Sequence, residues 1–255
     1  MRQIGKLIGK GLMSQVYAWG EDRAIKLFQS WVPPAKADQE FRVTRAIHAV
    51  GLPVPAAYEL LEVNGRKGIV LDRVDGISMY DSVVAKPWLL FSAARQLAEL
   101  HAKLHARKAP AELTSQRERI ATRIDEAGRS SDDEKQIARR RLSELPDGDT
   151  VCHGDFHPAN ILLTKNGPVV IDWMSGTRGH PLGDVAQTSL LFDIAKLPDD
   201  APAHIRILMK VSRQLLHKNY LKRYLQLSTG TMQEIKAWRP ALKAAVGAWP
   251  ANRAR

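Results

Sequence analysis

The segment HGDFHPANIL, residues 153–162, sets His153, Asp155 and Asn160 in one short loop between two brief apolar runs. Further on, VVIDW at 169–173 places Asp172 directly after another apolar, β-branched run. Transfer of a phosphoryl group to a hydroxyl needs a carboxylate that accepts or orients the hydroxyl proton. It also needs an amide oxygen and a second carboxylate to hold magnesium against the phosphates. Asp155, Asn160 and Asp172 offer those groups in that order, and the five-residue step from Asp155 to Asn160 lets one tight loop turn both side chains into one cleft. A lone HGD would mean little, since aspartates also cap turns; the ordered set points to chemistry.

The N-terminal part supplies what a nucleotide would need. IGKGLMSQVYAWG, residues 8–20, is a glycine-containing turn between two strand-like runs. Gly9 and Gly11 would let backbone N–H groups approach phosphate as no bulkier residue allows, and Ser14 adds a hydroxyl donor. Ordinary hairpins also use glycine, so the turn alone is weak. In AIKLF at 24–28, Lys26 lies on the next strand, within reach of α- and β-phosphates, and Glu40 on the following helix is its expected ion-pair partner.

These residues need a scaffold, and its elements follow from periodicity and turn signals. Residues 2–8, 14–19 and 23–28 read as strands. Residues 35–50 read as a helix ended by Gly51, with Pro53 and Pro55 preventing its continuation. Residues 58–63 and 67–71 read as a hairpin around Asn64-Gly65. The first 72 residues therefore form a five-stranded sheet with one helix after the third strand. The remainder is mainly helical: 88–105, 114–128, 132–144, 182–193, 202–227 and 231–247, with short strands at 150–152, 161–163 and 168–171. The composition change near Gly76 is the natural boundary between residues 1–75, expected to be the ATP-binding sheet, and residues 76–255, expected to carry the catalytic loop and the acceptor site.

HGDFHPAN resembles the catalytic loop of the aminoglycoside phosphotransferase and choline kinase family, small-molecule relatives of protein kinases. The resemblance covers residues 1 to about 190 and is sharpest at 153–184. It implies an α+β, two-lobed protein-kinase-like fold with a five-stranded antiparallel N-lobe and a helical C-lobe. It puts Asp155 in the base position, Asn160 in the metal position, and Asp172 where kinases carry their metal-binding aspartate. Trp173 and Met174 depart from the protein-kinase pattern, as the small-molecule branch does, which argues against a protein substrate. GHPLGDVA at 179–186 resembles the next segment of the family, whose Asp184 would brace the catalytic loop backbone. GIVLDRVDG at 68–76 resembles the inter-lobe hinge, where the carbonyl of Asp72 and the N–H of Val74 would hold adenine. His157 stands where protein kinases carry a phosphate-contacting lysine; it either contacts the γ-phosphate or orients the loop. The cofactors implied are ATP and Mg²⁺, and the partner is a small-molecule hydroxyl acceptor.

Composition bounds the rest. The only cysteine, Cys152, ends an apolar run and reads as a packing residue, and one thiol forms no internal disulfide, so a cytoplasmic setting is expected. The start lacks the apolar stretch of a signal peptide, and no run of roughly 18 apolar residues suggests a membrane span. The formal net charge is +11. Residues 201–255 hold eleven Lys or Arg against one acid, Glu234, leaving residues 1–200 nearly balanced. Such a segment is either a solvated helix face or an attractor of an anionic substrate or surface. Ile205, Leu208, Val211, Leu215 and Leu216 are expected to bury as a stripe, with Arg206, Lys210, Arg213 and Lys218 beside it. No base-stacking signature is present, so nucleic acid is not an expected partner.

Residues 111–149 and 187–255 should wall the acceptor site. A polycationic aminoglycoside needs a carboxylate-rich pocket, yet Asp193, Asp199, Asp200 and Glu234 are the only acids after Asp184. A choline-type cation needs an aromatic cage, for which Tyr220, Tyr224, Trp238 and Trp249 are the candidates and the core the competing reading. A neutral or anionic sugar-like acceptor suits the charge better. The alternative function is a nucleotide-binding or membrane-docking regulatory module of the same fold without turnover, against which the intact Asp155–Asn160–Asp172 set argues.

Overall fold

Strand alternation decides which side of the sheet does chemistry. A computed structural model describes residues 4–128, 130–195 and 201–246. β1 (Ile4–Lys10), β2 (Ser14–Trp19) and β3 (Arg23–Phe28) form consecutive antiparallel hairpins, with Lys10 opposite Gln15 and Trp19 opposite Arg23. Ile25 and Leu27 pack with Trp19 and Val70 on one face. Phe28 points to the other face, as does Lys26, because side chains alternate along a strand. That second face is covered by α1 (Pro34–Ala49), through Ala37. β4 (Ala57–Val63) and β5 (Arg66–Asp72) close the sheet in the order β1-β2-β3-β5-β4. Their turn places Asn64 at φ 51° and Gly65 at φ 72°, the left-handed pair that a two-residue hairpin requires.

After a linker at residues 73–76 come β6 (Ile77–Ser78), α2 (Met79–Ala85) and α3 (Leu90–His105). α4 (Gln116–Asp125), α5 (Asp132–Ser143) and β7 (Thr150–Cys152) lead into the HGD loop. β8 (Ile161–Thr164) and β9 (Gly167–Val170) extend β6 into a three-stranded sheet, and β10 (Thr177–Gly179) pairs with β7. α6 (Pro181–Ile194), α7 (Ala203–Leu227) and α8 (Met232–Val246) complete the helical part. One apolar core joins Leu97 and Leu104 of α3, Ile120 and Ile124 of α4, Tyr220 and Tyr224 of α7, and Trp238 of α8. It also reaches Ile47 of α1, so that helix packs on both sides of the cleft. No helix among the described residues is long and apolar enough to cross a membrane.

Three elements were not foreseen: β6, α2 and β10. Two or three residues carry no readable period, and β6 lies close against β8 just where Gly76 has no side chain, since a Cβ there would come within 2.7 Å of the Leu163 carbonyl oxygen. The expected buried stripe of α7 is a correction. Leu216 is buried, but Ile205, Leu208, Val211 and Leu215 are exposed. α7 is 25 residues long and its partner α3 only 16, roughly 37 Å against 24 Å at 1.5 Å per residue. The helix outruns its partner, and the stripe that does bury lies further on, at Leu216, Tyr220 and Tyr224. Tyr220, Tyr224 and Trp238 are core residues, 0%, 1% and 2% exposed, so they form no aromatic cage. Trp249, Asp199, Asp200, Arg253 and Arg255 lie outside the described residues.

Candidate active site

The HGD loop is held by a buried carboxylate. Asp184, in the first turn of α6, accepts the backbone N–H of His153 at 2.6 Å and of Gly154 at 2.8 Å. His101 and His105, one turn apart on α3, bring Nε2 to the same carboxylate at 3.0 and 3.3 Å. Their Nδ1 atoms meet the Tyr220 and Tyr224 hydroxyls, each at 2.7 Å. Burial would push Asp184 up, but the hydrogen bonds from His101 and His105 outweigh it and hold the carboxyl well below its usual range. Burial also lowers His101 to about 3, so that ring is neutral. The spacing ELHAKLHA already put both histidines on one helix face.

The loop is further fixed at Gly154, whose φ is 74° and where a Cβ would lie 2.4 Å from the Ser175 carbonyl oxygen. Only glycine meets both conditions. Gln187 donates to the Gly154 carbonyl. The buried His153 ring meets the Ile171 carbonyl through Nε2 at 3.1 Å and receives the Asp155 N–H at Nδ1, 3.2 Å away. Burial of the Cys152 thiol raises its pKa well above the usual range, so it is a packing residue.

On this platform Asp155 and Asn160 face each other. Asn160 donates Nδ2–H to the Asp155 carbonyl at 2.9 Å and to its carboxylate at 3.3 Å. His157 Nε2 stands 3.6 Å from the Asp155 carboxylate and 3.3 Å from Asn160 Nδ2. Burial opposes the charge of Asp155, but His157, His153 and Asn160 outweigh it, so the carboxyl sits below its usual range and is ionised at neutral pH. The Ile171 N–H bonds to the Asn160 carbonyl at 3.0 Å, which sets Asp172 beside Asn160. Asp172 is left-handed, at φ 66° and ψ 62°, a conformation rare outside glycine, asparagine and aspartate.

Lys26 crosses from the sheet to meet it. Its Nζ lies 2.5 Å from Glu40 and 3.1 Å from Asp172, a residue 146 positions away. Burial would discharge Lys26, but Asp172 and Glu40 together reverse this and raise its pKa. Burial pushes Glu40 up to about 7 against the pull of Lys26, with Asp172 adding to the rise. The β1–β2 turn follows the expected form: Gly11 N–H bonds the Ser14 carbonyl at 2.9 Å, and Ser14 is buried at the start of β2. A Cβ at Gly9 or Gly11 would meet ordinary contacts, 3.5 and 3.7 Å, so the fold itself does not demand glycine there. Asp72 ends β5, its carboxylate bound to Arg23, to the Tyr58 hydroxyl at 2.7 Å and to the Ala56 N–H at 3.0 Å. Val74 sits half-buried in the linker that follows.

Sequence reasoning missed a cationic group beside this loop. Arg119 and Arg123, one turn apart on α4, reach the segment after Asp172. Arg119 donates to the Met174 carbonyl at 3.0 Å and sits 3.5 Å from the Ser175 hydroxyl, which Arg123 approaches at 3.4 Å. Arg123 also feels the charge of Asp155. Lys36 on α1 is depressed by burial and then by both arginines. The i,i+4 pair in RERIATRID, flanking the buried Ile120 and Ile124, was the signal available.

The Phosphotransferase enzyme family profile matches residues 5–208. Acyl-CoA dehydrogenase family member 11 of Mus musculus is 30% identical over 187 residues, and that of Pongo abelii 28%; each alignment covers 64% of this chain and 24% of the relative. The chain thus spans about a quarter of the length of the curated relatives it matches. An aminoglycoside-3'-phosphotransferase of type VIII superposes with TM-score 0.65 at 18% identity, covering 96% of this chain and 93% of that one. An aminoglycoside phosphotransferase from Streptomyces rimosus, in complex with ADP and streptomycin, gives TM-score 0.60 at 19% identity, covering 92% and 90%. The fold is thus the kinase-like fold of these enzymes, and with its match over residues 5–208 the chain belongs to the phosphotransferase enzyme family.

Proposed function

We propose that this protein is an ATP- and magnesium-dependent kinase that moves the γ-phosphate to a hydroxyl of a small neutral or anionic acceptor. ATP would lie between residues 1–75 and 76–255. The observation that carries this reading is the meeting of Lys26, Asp172, Asn160 and Asp155, which come from three separate segments of the chain. Idle packing does not account for a sheet lysine bridging a helix glutamate and a left-handed aspartate. The Streptomyces rimosus neighbour, described with ADP and streptomycin, agrees with a nucleotide and a hydroxyl compound in this kind of site.

The donor set fits magnesium. Asn160 spends its amide nitrogen on Asp155, leaving the amide oxygen, and Asp172 adds a carboxylate; both are the hard oxygen ligands that the ion takes. Bound there with ATP, magnesium would neutralise charge on the transferring phosphate. Lys26 would hold the α- and β-phosphates, with Glu40 fixing its ammonium. Gly9, Gly11 and Ser14 would cover the phosphates with backbone and hydroxyl donors, and the Asp72 carbonyl and Val74 N–H would hold adenine. Asp155 would orient the acceptor hydroxyl and take its proton. His157 lies where it can steady the Asp155 carboxylate or meet the γ-phosphate.

After Asp184, the described acids offer a polycationic acceptor little. Asp193 is paired with Arg239 at 2.5 Å, and Glu234 spends its carboxylate on Thr231. The test is ADP release from Mg·ATP across metabolite and antibiotic libraries. Acceptor-dependent release supports the kinase; nucleotide binding without release for any hydroxyl compound overturns it.

The Lys26–Glu40 pair gives a separate prediction. Lys26→Met should impair catalysis and weaken ATP modestly, and Glu40→Ala should act alike but more mildly. Because the two touch at 2.5 Å, the double variant should be little worse than Lys26→Met. Additive losses in kcat/KM would show that the two side chains work independently.

A further inference from the structure

Arg119 and Arg123, one turn apart on α4, converge on the Ser175 hydroxyl beside the HGD loop, and Lys36 on α1 lies within their field. Burial and the neighbouring Arg123 lower Arg119 to about 10. Glu126, an exposed residue, is the one acid that acts on all three. Arg119 Nε is buried and has no hydrogen-bond partner, a state that ordinarily costs stability unless a ligand supplies the acceptor. The arginines also fix the segment after Asp172, and that segment packs on Gly154, next to Asp155. Arg123 additionally lines a small surface hollow with Gln187 and the apolar Ile120, Leu190, Leu191 and Leu242. Gln187 is the same residue that holds the Gly154 carbonyl.

Resting on the kinase reading above, we propose that Arg119 and Arg123, assisted by Lys36, bind an anionic group on the acceptor. The substrate class is then a hydroxyl compound that also carries a carboxylate or a phosphate monoester. The guanidinium fork suits either anion, since both offer paired oxygens. A planar cation placed within electrostatic reach of Asp155 would set the acceptor hydroxyl at that carboxylate by tethering the other end of the molecule. Asp155, itself anionic, leaves the cluster cationic overall once Glu126 is counted.

The experiment measures ADP release with paired acceptors. Hydroxyalkanoates are compared with the matching diols, and polyol phosphates with the free polyols. The wild type should favour the charged member of at least one pair by about tenfold or more in kcat/KM, the scale of a charged hydrogen bond. Arg119→Gln and Arg123→Gln should collapse that ratio toward one while leaving KM for ATP unchanged. Lys36→Gln, at an exposed position, should lower it a few-fold without risk to the fold. A merely structural role for the arginines would depress both members of a pair and keep the ratio. Which series responds, carboxylate or phosphate, identifies the source of the anion. Turnover of neutral or cationic acceptors with no charge preference overturns the anion site and leaves the kinase reading standing. Should no acceptor release ADP, the kinase reading fails and the site is judged by binding alone. Inorganic phosphate and malonate are titrated calorimetrically into protein loaded with Mg²⁺ and a non-hydrolysable ATP analogue. Saturable binding lost in the Arg119→Gln/Arg123→Gln double variant supports it; no binding, or binding that survives the double variant, overturns it.

Discussion

Asp155→Asn should lower kcat by roughly 10²–10⁴, the usual worth of a positioned general base, and leave nucleotide affinity nearly intact. The substitution keeps size and one acceptor oxygen but removes the charge that His157 and Asn160 face. The loop itself should survive, because it is pinned by main-chain bonds that do not involve this side chain: His153 and Gly154 to Asp184, and the Gly154 carbonyl to Gln187. Asp155 is ionised well below neutral pH, so it is a weak base for a free alcohol. On the proposed reading its use would lie in orienting the hydroxyl and taking the proton late, as phosphoryl transfer through a loose transition state allows. The measurement is kcat with a cognate acceptor, beside ADP affinity and a thermal melt on the same preparation. Turnover at the wild-type rate would remove Asp155 from the chemistry. A loss of turnover accompanied by a collapsed melt would assign it to the fold instead.

What could be read in the sequence depended on whether a residue acts locally or through distant partners. The sheet was legible because its strands are sequential hairpins with glycine and Asn64-Gly65 turns; each pairing is decided within a few residues. The HGDFHPAN loop was legible for the same reason, since Asp155, His157 and Asn160 touch within five positions. Asp184 was placed through resemblance to a family, and its partners show why spacing alone would not suffice: His101 lies 83 residues away and His153 31. The α7 stripe misled because periodicity says that a face is apolar, not whether another helix is long enough to cover it. Arg119 and Arg123 went unread because an arginine pair on a charged helix looks like a solvated face. Their significance arises only when Met174 and Ser175 are brought beside them.

Asp172→Asn should reduce Mg·ATP affinity to the level of metal-free ATP while changing metal-free binding little. Asparagine is the informative replacement because the site is left-handed, at φ 66°. Alanine there would add backbone strain of order 1–3 kcal/mol to any loss of charge, whereas asparagine tolerates the conformation and isolates the charge. Asp172 holds two positions in the electrostatics of the cleft. It attracts Lys26 at 3.1 Å, and it repels Glu40, helping burial lift that carboxyl to about 7. Removing its charge therefore takes one partner from Lys26 but also eases the ionisation of Glu40, so the Lys26–Glu40 pair should tighten rather than dissolve. That compensation is why metal-free nucleotide, which on the proposed reading Lys26 and the glycine turn would hold, should be nearly unaffected. Calorimetry with ATP analogue, with and without Mg²⁺, reads both quantities on one variant. If affinity falls equally in the two conditions, Asp172 serves the nucleotide through Lys26 and the fold, and Asn160 loses its assigned partner at the metal. If only the magnesium-dependent increment disappears, the carboxylate acts through the ion.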